Sequence, residues 1–363
     1  MLGAVLVEVP EPRPPAVTLT LLAGFLGAGK TTVLNHLVRN APEGSRLGVL
    51  VNDFGAINID AELVAAVDGE TITLQNGCIC CTIKDDLLLS LFRLLRRPDP
   101  PAHVLIEASG VSDPAEVLKS FDDARVLDVV RLAAVIVVVD AEQYAAVEYR
   151  DQPLALHQLL VADLVILNKL DLIADDGAPG VEDRIRATAP DVRVLPAIHG
   201  RVPVELVLGI GRGDLDAALA GVAARELPRL HVHDAGAEPG HTDHELVFDR
   251  WSYRAARTLA PTPLRAALDA LPAAIYRAKG IVAIAGEERR VIVQVVGKRV
   301  ELRPGEPWGP EEPRVSTLVA IGRAGGFDGD ALTTAIADCE TSDPRGRGLR
   351  DGVRTWIRGL WPR

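Results

Sequence analysis

Gly24-Phe25-Leu26-Gly27-Ala28-Gly29-Lys30-Thr31 decides how this chain is read. The β-rich run 17–23 leads into it, and residues 31–39 follow with a helical pattern. Strand, glycine loop and helix in that order are what G-x-x-x-x-G-K-[ST] needs to cradle phosphates. Glycines let backbone N–H groups turn inward, and the helix N-terminus adds its partial positive charge. Gly27, Ala28 and Gly29 lie in the cradle. Lys30 would reach the β- and γ-phosphates, and Thr31, followed by Thr32, would put a hydroxyl on Mg²⁺. The competing reading, a chance match, is disfavoured by the flanking pattern.

Outward from this loop, residues 47–51, 104–106, 132–139 and 164–167 are Val/Leu/Ile runs without alternation. Strands buried on both faces look like this, and helical patterns separate them. The expectation is an α/β fold: a doubly wound, mostly parallel sheet with its ligand at the carboxyl ends of the strands. It should span residues 17–220, after an N-terminal arm at 1–16. The pattern dissolves over 221–245, where His231, His233, His241 and His244 sit among Asp, Gly and Pro, which reads as a linker. These histidines are either a low-affinity metal entry site or ordinary solvated loop residues. A smaller α+β domain is expected over 246–340, then a basic tail at 341–363. His36 reads as structural, and Cys339 as a bystander.

Asn168-Lys169-Leu170-Asp171 closes the run 164–167. A carboxylate at that strand end can accept two hydrogen bonds from guanine N1 and N2, a donor pair adenine lacks. With the phosphate loop upstream, Asn168, Lys169 and Asp171 point to GTP and GDP, against the alternative of an ordinary strand-end turn. Glu107 ends the run 104–106 and would hold Mg²⁺, directly or through water, while Gly110 would let a loop sense the γ-phosphate. The alternative is an acid capping the helix after Pro114. Asp53 and Asp60 lie where a first switch belongs and could act on Mg²⁺ or the attacking water; an acidic surface loop is the other reading. No glutamine stands out to orient water and no arginine finger can be assigned in cis, so hydrolysis should be slow without a partner or metal.

Asn76-Gly77-Cys78-Ile79-Cys80-Cys81 is the second chemical feature. Thiolates of Cys78, Cys80 and Cys81 can converge on one tetrahedral Zn²⁺ and leave a fourth position open. Co²⁺ is geometrically tolerated. Buried small residues and a redox pair are the competing readings. Neighbouring thiols make strained disulfides, and the chain has only four cysteines, so a reducing cytoplasm is the expected home.

Composition sets outer bounds. A chain of 363 residues with 48% apolar content favours two domains with a sizeable core. A formal charge of −11 argues against nucleic acid as the main partner. The N-terminal segment lacks a basic region with a long apolar run, and no apolar stretch reaches the roughly 18 residues of a membrane span.

Taken in order, residues 24–32, Asn52 to Gly55 with Asp60, residues 76–81, residues 107–110 with Ser112-Asp113-Pro114, and residues 168–171 resemble the CobW-like family of P-loop GTPases. That family includes zinc-regulated metalloprotein activators and related metallochaperones. Arg277-Ala278-Lys279-Gly280 and residues 316–323 look like its C-terminal domain. The resemblance implies GTP binding with Mg²⁺, slow hydrolysis, Zn²⁺ or Co²⁺ at the cysteine motif, and delivery of metal to a client metalloprotein; a homodimer is left open. Two departures stand out: the family usually has Glu where this chain has Asp53, and its histidine tract is thin here. Two other readings compete, a regulatory metal-binding protein with a structural nucleotide and a small-molecule kinase on the same scaffold.

Overall fold

A computed structural model describes residues 17–42, 44–51, 71–73, 83–121, 126, 129–145, 153–174, 177–209, 230–232 and 246–342. Seven strands form one parallel sheet: β1 (Val17–Gly24), β2 (Leu47–Val51), β3 (Thr71–Thr73), β4 (His103–Glu107), β5 (Val130–Asp140), β6 (Leu164–Asn168) and β7 (Arg193–Pro196). Their order is β3-β2-β4-β1-β5-β6-β7, and every neighbouring pair runs parallel. The helices between them are α1 (Lys30–Arg39), α2 (Ile83–Leu95), α3 (Pro114–Lys119), α4 (Ala141–Ala145), α5 (Pro153–Val161), α6 (Gly177–Thr188) and α7 (Val204–Leu208).

Unbroken apolar runs make sense in this arrangement, because each central strand is covered twice. On one face Leu19, Leu21, Val135 and Val137 meet Leu87 and Leu91 of α2 and Ile185 of α6. On the other, Leu22, Leu105, Ile136 and Val138 meet Val33, Leu34 and Leu37 of α1. The chain crosses from β4 to β5 over β1, so the strand order switches beside the glycine loop, where ligands of open α/β sheets bind.

Six further strands, β8 (Leu230–Val232), β9 (Leu246–Ala255), β11 (Ile275–Val282), β12 (Arg289–Val296), β13 (Arg299–Pro307) and β14 (Ser316–Arg323), build an antiparallel sheet ordered β13-β12-β11-β14-β9-β8. β10 (Thr258–Leu259) pairs with β15 (Glu340–Thr341). Helices α8 (Pro261–Asp269) and α9 (Gly329–Ala337) cover one face. Here the period of two is plain. Leu318 and Ala320 of β14 join the core under α8 and α9, whereas Val319 and Ile321 join Phe248 and Tyr276 in the core shared with α1 of the parallel sheet. The first sheet and the second therefore have one core in common.

Charged groups lock the seam around that core. Asp163 accepts from Arg299 Nε at 2.7 Å and from the Val135 N–H at 2.9 Å. Arg323 Nη2 donates to Glu182 at 2.6 Å and its Nε to the Tyr276 hydroxyl at 3.1 Å.

One expectation needs correcting. Leu230–Val232, carrying His231, is an edge strand paired antiparallel with Leu246–Phe248, inside the segment read as a linker. Its three residues are too short a run to show a period, and only pairing with β9 makes them a strand. His233, His241, His244, the arm at 1–16 and the tail from 343 lie outside the described residues.

Candidate nucleotide site

The loop after β1 needs glycine for two distinct reasons. Gly27 and Gly29 have φ of 78° and 97°, the left-handed region that side chains resist. Gly29 is also pressed by a neighbour: a Cβ there would lie 2.4 Å from the Asn168 amide nitrogen. Gly29 caps α1, so the unpaired N–H groups of the first turn open toward the loop. Lys30 is 7% exposed and donates from Nζ to the Phe25 carbonyl at 3.2 Å, which folds its ammonium back over the loop.

Next to this cradle, Thr31 Oγ1 donates to Glu107 Oε1 at 2.8 Å. Glu107 is the last residue of β4 and 2% exposed. A hydroxyl and a buried carboxylate in contact are hard oxygen donors of the type that suits Mg²⁺, so the residues present fit that ion. Gly110 continues from β4 against the loop: a Cβ on it would stand 2.7 Å from the Leu26 backbone and 3.1 Å from Lys30 Nζ. Only glycine lets this segment approach so closely. Asp113 caps α3 by accepting from the Ala115 N–H at 2.9 Å, so the capping role weighed for Glu107 falls to Asp113.

The far wall is built from β6. Asn168 points inward: its Nδ2 donates to the Ala28 carbonyl at 3.0 Å, and its Oδ1 accepts from the Gly200 N–H at 2.8 Å. That single side chain ties the phosphate loop to the loop after β7. Lys169, in the left-handed region at φ 62°, pairs through Nζ with Asp140 at 2.7 Å. Asp171 begins beyond the strand end, in the short 3₁₀ turn Leu170–Leu172, with His199 Nδ1 at 3.9 Å from its carboxylate. The structure thus brings Gly27, Ala28, Gly29, Lys30, Thr31, Thr32, Glu107, Asn168, Lys169 and Asp171 to one end of the sheet.

Three participants were not singled out from the sequence. Asp140, 1% exposed at the end of β5, orients Lys169 and also accepts from the Gln143 N–H. His199, at φ 51°, and Gly200, at φ 70°, form the tight turn that meets Asn168. An acid ending the long apolar run 132–139 was a readable signal; nothing in the short β7 advertised the turn. Asp53, Asp60, Cys78, Cys80 and Cys81 lie outside the described residues. His36 acts as expected of a structural residue, with Nε2 2.8 Å from the Val202 carbonyl, and burial lowers its pKa. Cys339 is buried and donates to the Ala335 carbonyl.

A strand, a glycine loop capped by Lys30 and Thr31, and an acidic strand end beside it define a P-loop nucleotide-binding protein. Residues 18–196 match the CobW/HypB/UreG nucleotide-binding domain, and residues 248–340 the cobalamin synthesis protein cobW C-terminal domain. The zinc chaperone CobW of Sinorhizobium sp is 31% identical over 336 residues, covering 84% of this chain and 92% of the relative. The zinc chaperone CobW of Pseudomonas aeruginosa is 32% identical, covering 84% and 87%. The zinc chaperone YjiA of Escherichia coli is 30% identical, covering 84% and 94%. The chain belongs to the CobW family of P-loop proteins.

Proposed function

We propose that this chain is a GTP-hydrolysing metallochaperone, in which nucleotide state controls the binding and delivery of a transition metal, zinc before cobalt, to a client metalloprotein. The observation that carries it is the contact of Gly110 with Lys30 and Leu26, next to the Thr31–Glu107 hydrogen bond. A γ-phosphate entering between Lys30 and Gly110 would displace or order the segment after β4, which is how such segments register triphosphate. Thr31 and Glu107 would hold Mg²⁺, whose charge would offset the phosphate oxygens. Asn168, Lys169 and Asp171 would select guanine. Support for zinc comes from relatives named zinc chaperones and from the three thiols of Cys78, Cys80 and Cys81. Metal is cargo in this reading, and Cys78, Cys80 and Cys81 are the residues that would carry it.

The test is zinc affinity measured with a non-hydrolysable GTP analogue and again with GDP. Coupled sites give different dissociation constants, by about 5-fold or more. Equal constants, or a Cys80→Ala variant that keeps stoichiometric zinc, would overturn the delivery mechanism.

A further inference from the structure

Arg277-Ala278-Lys279-Gly280 takes no part in the nucleotide chemistry, yet its first residue sits in an unusual place. Arg277 lies in β11, is 2% exposed, and donates from Nη1 to the carbonyls of Leu206 and Val207, both at 2.9 Å. Two of the last three carbonyls of α7, beyond reach of any helical N–H among the described residues, are taken this way. Gly209 then turns at φ 123°, where a Cβ would stand 3.2 Å from Arg277 Nη2. No carboxylate among the described residues pairs with Arg277. A guanidinium buried against carbonyls alone is costly beside an apolar side chain of similar size, so packing by itself does not call for arginine here.

The other end of α7 starts from the nucleotide site. Val202, two residues before the helix, bonds His36 of α1. Gly200 donates to Asn168, and a Cβ on it would lie 2.9 Å from the Val33 nitrogen and 3.0 Å from Thr32. Asn168 in turn holds the Ala28 carbonyl of the phosphate loop. Five residues of helix therefore join the turn beside the phosphate loop to a side chain of the antiparallel sheet.

We propose that Arg277 is a positioning residue for the nucleotide site: by gripping the end of α7 it sets the turn at residues 197–202, so the C-terminal sheet governs how tightly guanine nucleotide is held. This rests on the site being a guanine-nucleotide site, and it adds a route by which whatever engages the C-terminal sheet reaches that site.

The experiment uses the full chain and titrates GDP and ADP into wild type, Arg277→Met, Arg277→Lys, Asn168→Ala and the Arg277→Met/Asn168→Ala double variant. Arg277→Met is expected to weaken GDP binding about 10-fold, with Arg277→Lys intermediate. In the Asn168→Ala background the Arg277→Met effect should vanish, because the tie between the turn and the loop is already cut. A purely structural arginine would lower the melting temperature, leave GDP affinity within about twofold, and give additive losses. Either of those binding results overturns the proposal. A wild type that prefers ADP sinks the GTPase reading alone, and the Arg277 effect is then read on ADP; binding of neither sinks both. If the Arg277 variants fail to fold, hydrogen exchange of the wild type decides. Nucleotide should slow exchange in residues 203–209 and 275–281, and unchanged exchange there counts against the idea.

Discussion

In the parallel sheet the polar groups of the candidate site gather at one end; in the antiparallel sheet polar groups line the seam. Glu107, Asp140 and Asn168 are the final residues of β4, β5 and β6, each at most 2% exposed, and each faces the glycine loop or its neighbours. Strands β9, β11 and β14 instead place Phe248, Tyr276, Val319 and Ile321 in the shared core, with Arg277 and Arg323 reaching across to α7 and α6. A sheet covered on both faces can present chemistry only where its strands end. A sheet with alternating faces can give one to its own helices and the other to a neighbour. The difference separates a region whose chemistry sits at its strand ends from one whose polar side chains join it to a neighbour.

The sharpest way to break that contrast is at the ligand end. Lys30→Ala should weaken GTP binding on the order of 10³-fold, since a charge-assisted contact to two phosphates is lost. Because Lys30 is 7% exposed and no longer needs burying, the unfolding midpoint without nucleotide should not fall. Isothermal titration and urea unfolding read the two quantities. A variant that binds GTP normally would show that the loop is not the phosphate site.

The opposite result is expected of Leu318→Ala. Leu318 is 1% exposed in the core under α8 and α9, the face turned away from the parallel sheet. Its loss should cost about 3 kcal/mol of stability while GDP affinity stays within about twofold. A large fall in affinity would mean that even this face is wired to the nucleotide.

Asp171→Asn sharpens the comparison within the site itself. An asparagine offers one donor and one acceptor in place of two acceptors, which suits xanthine, with its C2 carbonyl, and not guanine. GDP binding should weaken about 10²-fold and xanthosine diphosphate binding should strengthen. Equal loss of both would place the base elsewhere.

The strand ends of the parallel sheet were far more legible than the antiparallel sheet. Glycines at Gly27 and Gly29, Lys30, Glu107 and Asn168 stand at strand boundaries, where an apolar run stops abruptly and the residue type changes. The antiparallel sheet has no such punctuation. β9 carries Asp249, Arg250 and Arg254 among its apolar residues, and β13 contains Pro304 and Gly305, which depress any strand reading although an edge strand tolerates them. The turn at His199 and Gly200 was hidden for another reason. Its importance comes from a hydrogen bond to Asn168, thirty-two positions back, and contacts at that range leave no local pattern. Arg277 was visible as part of a family-like stretch, but its bonds to α7 were not, for the same reason.

The smallest effect expected lies where the two regions touch. His103 is buried at the start of β4, shares a 3.0 Å hydrogen bond between its Nε2 and Thr20, and has its pKa pushed down to about 3, first by burial and then by the Arg277 charge. In the unfolded chain the same imidazole would protonate near 6.5. Between those values the unfolded state binds more protons than the folded one, so stability rises with pH across the interval and is lost as pH falls below about 6.5. The slope from this group is about 1.4 kcal/mol per pH unit once the unfolded imidazole is charged. His103→Gln keeps a polar group near Thr20 and removes the titration, so urea unfolding at pH 7 and pH 5 should differ by less in the variant than in the wild type. An equal pH dependence in both would mean that His103 is charged in the fold, beside Arg277 and against two strands, and the seam described between the sheets would have to open to let water in.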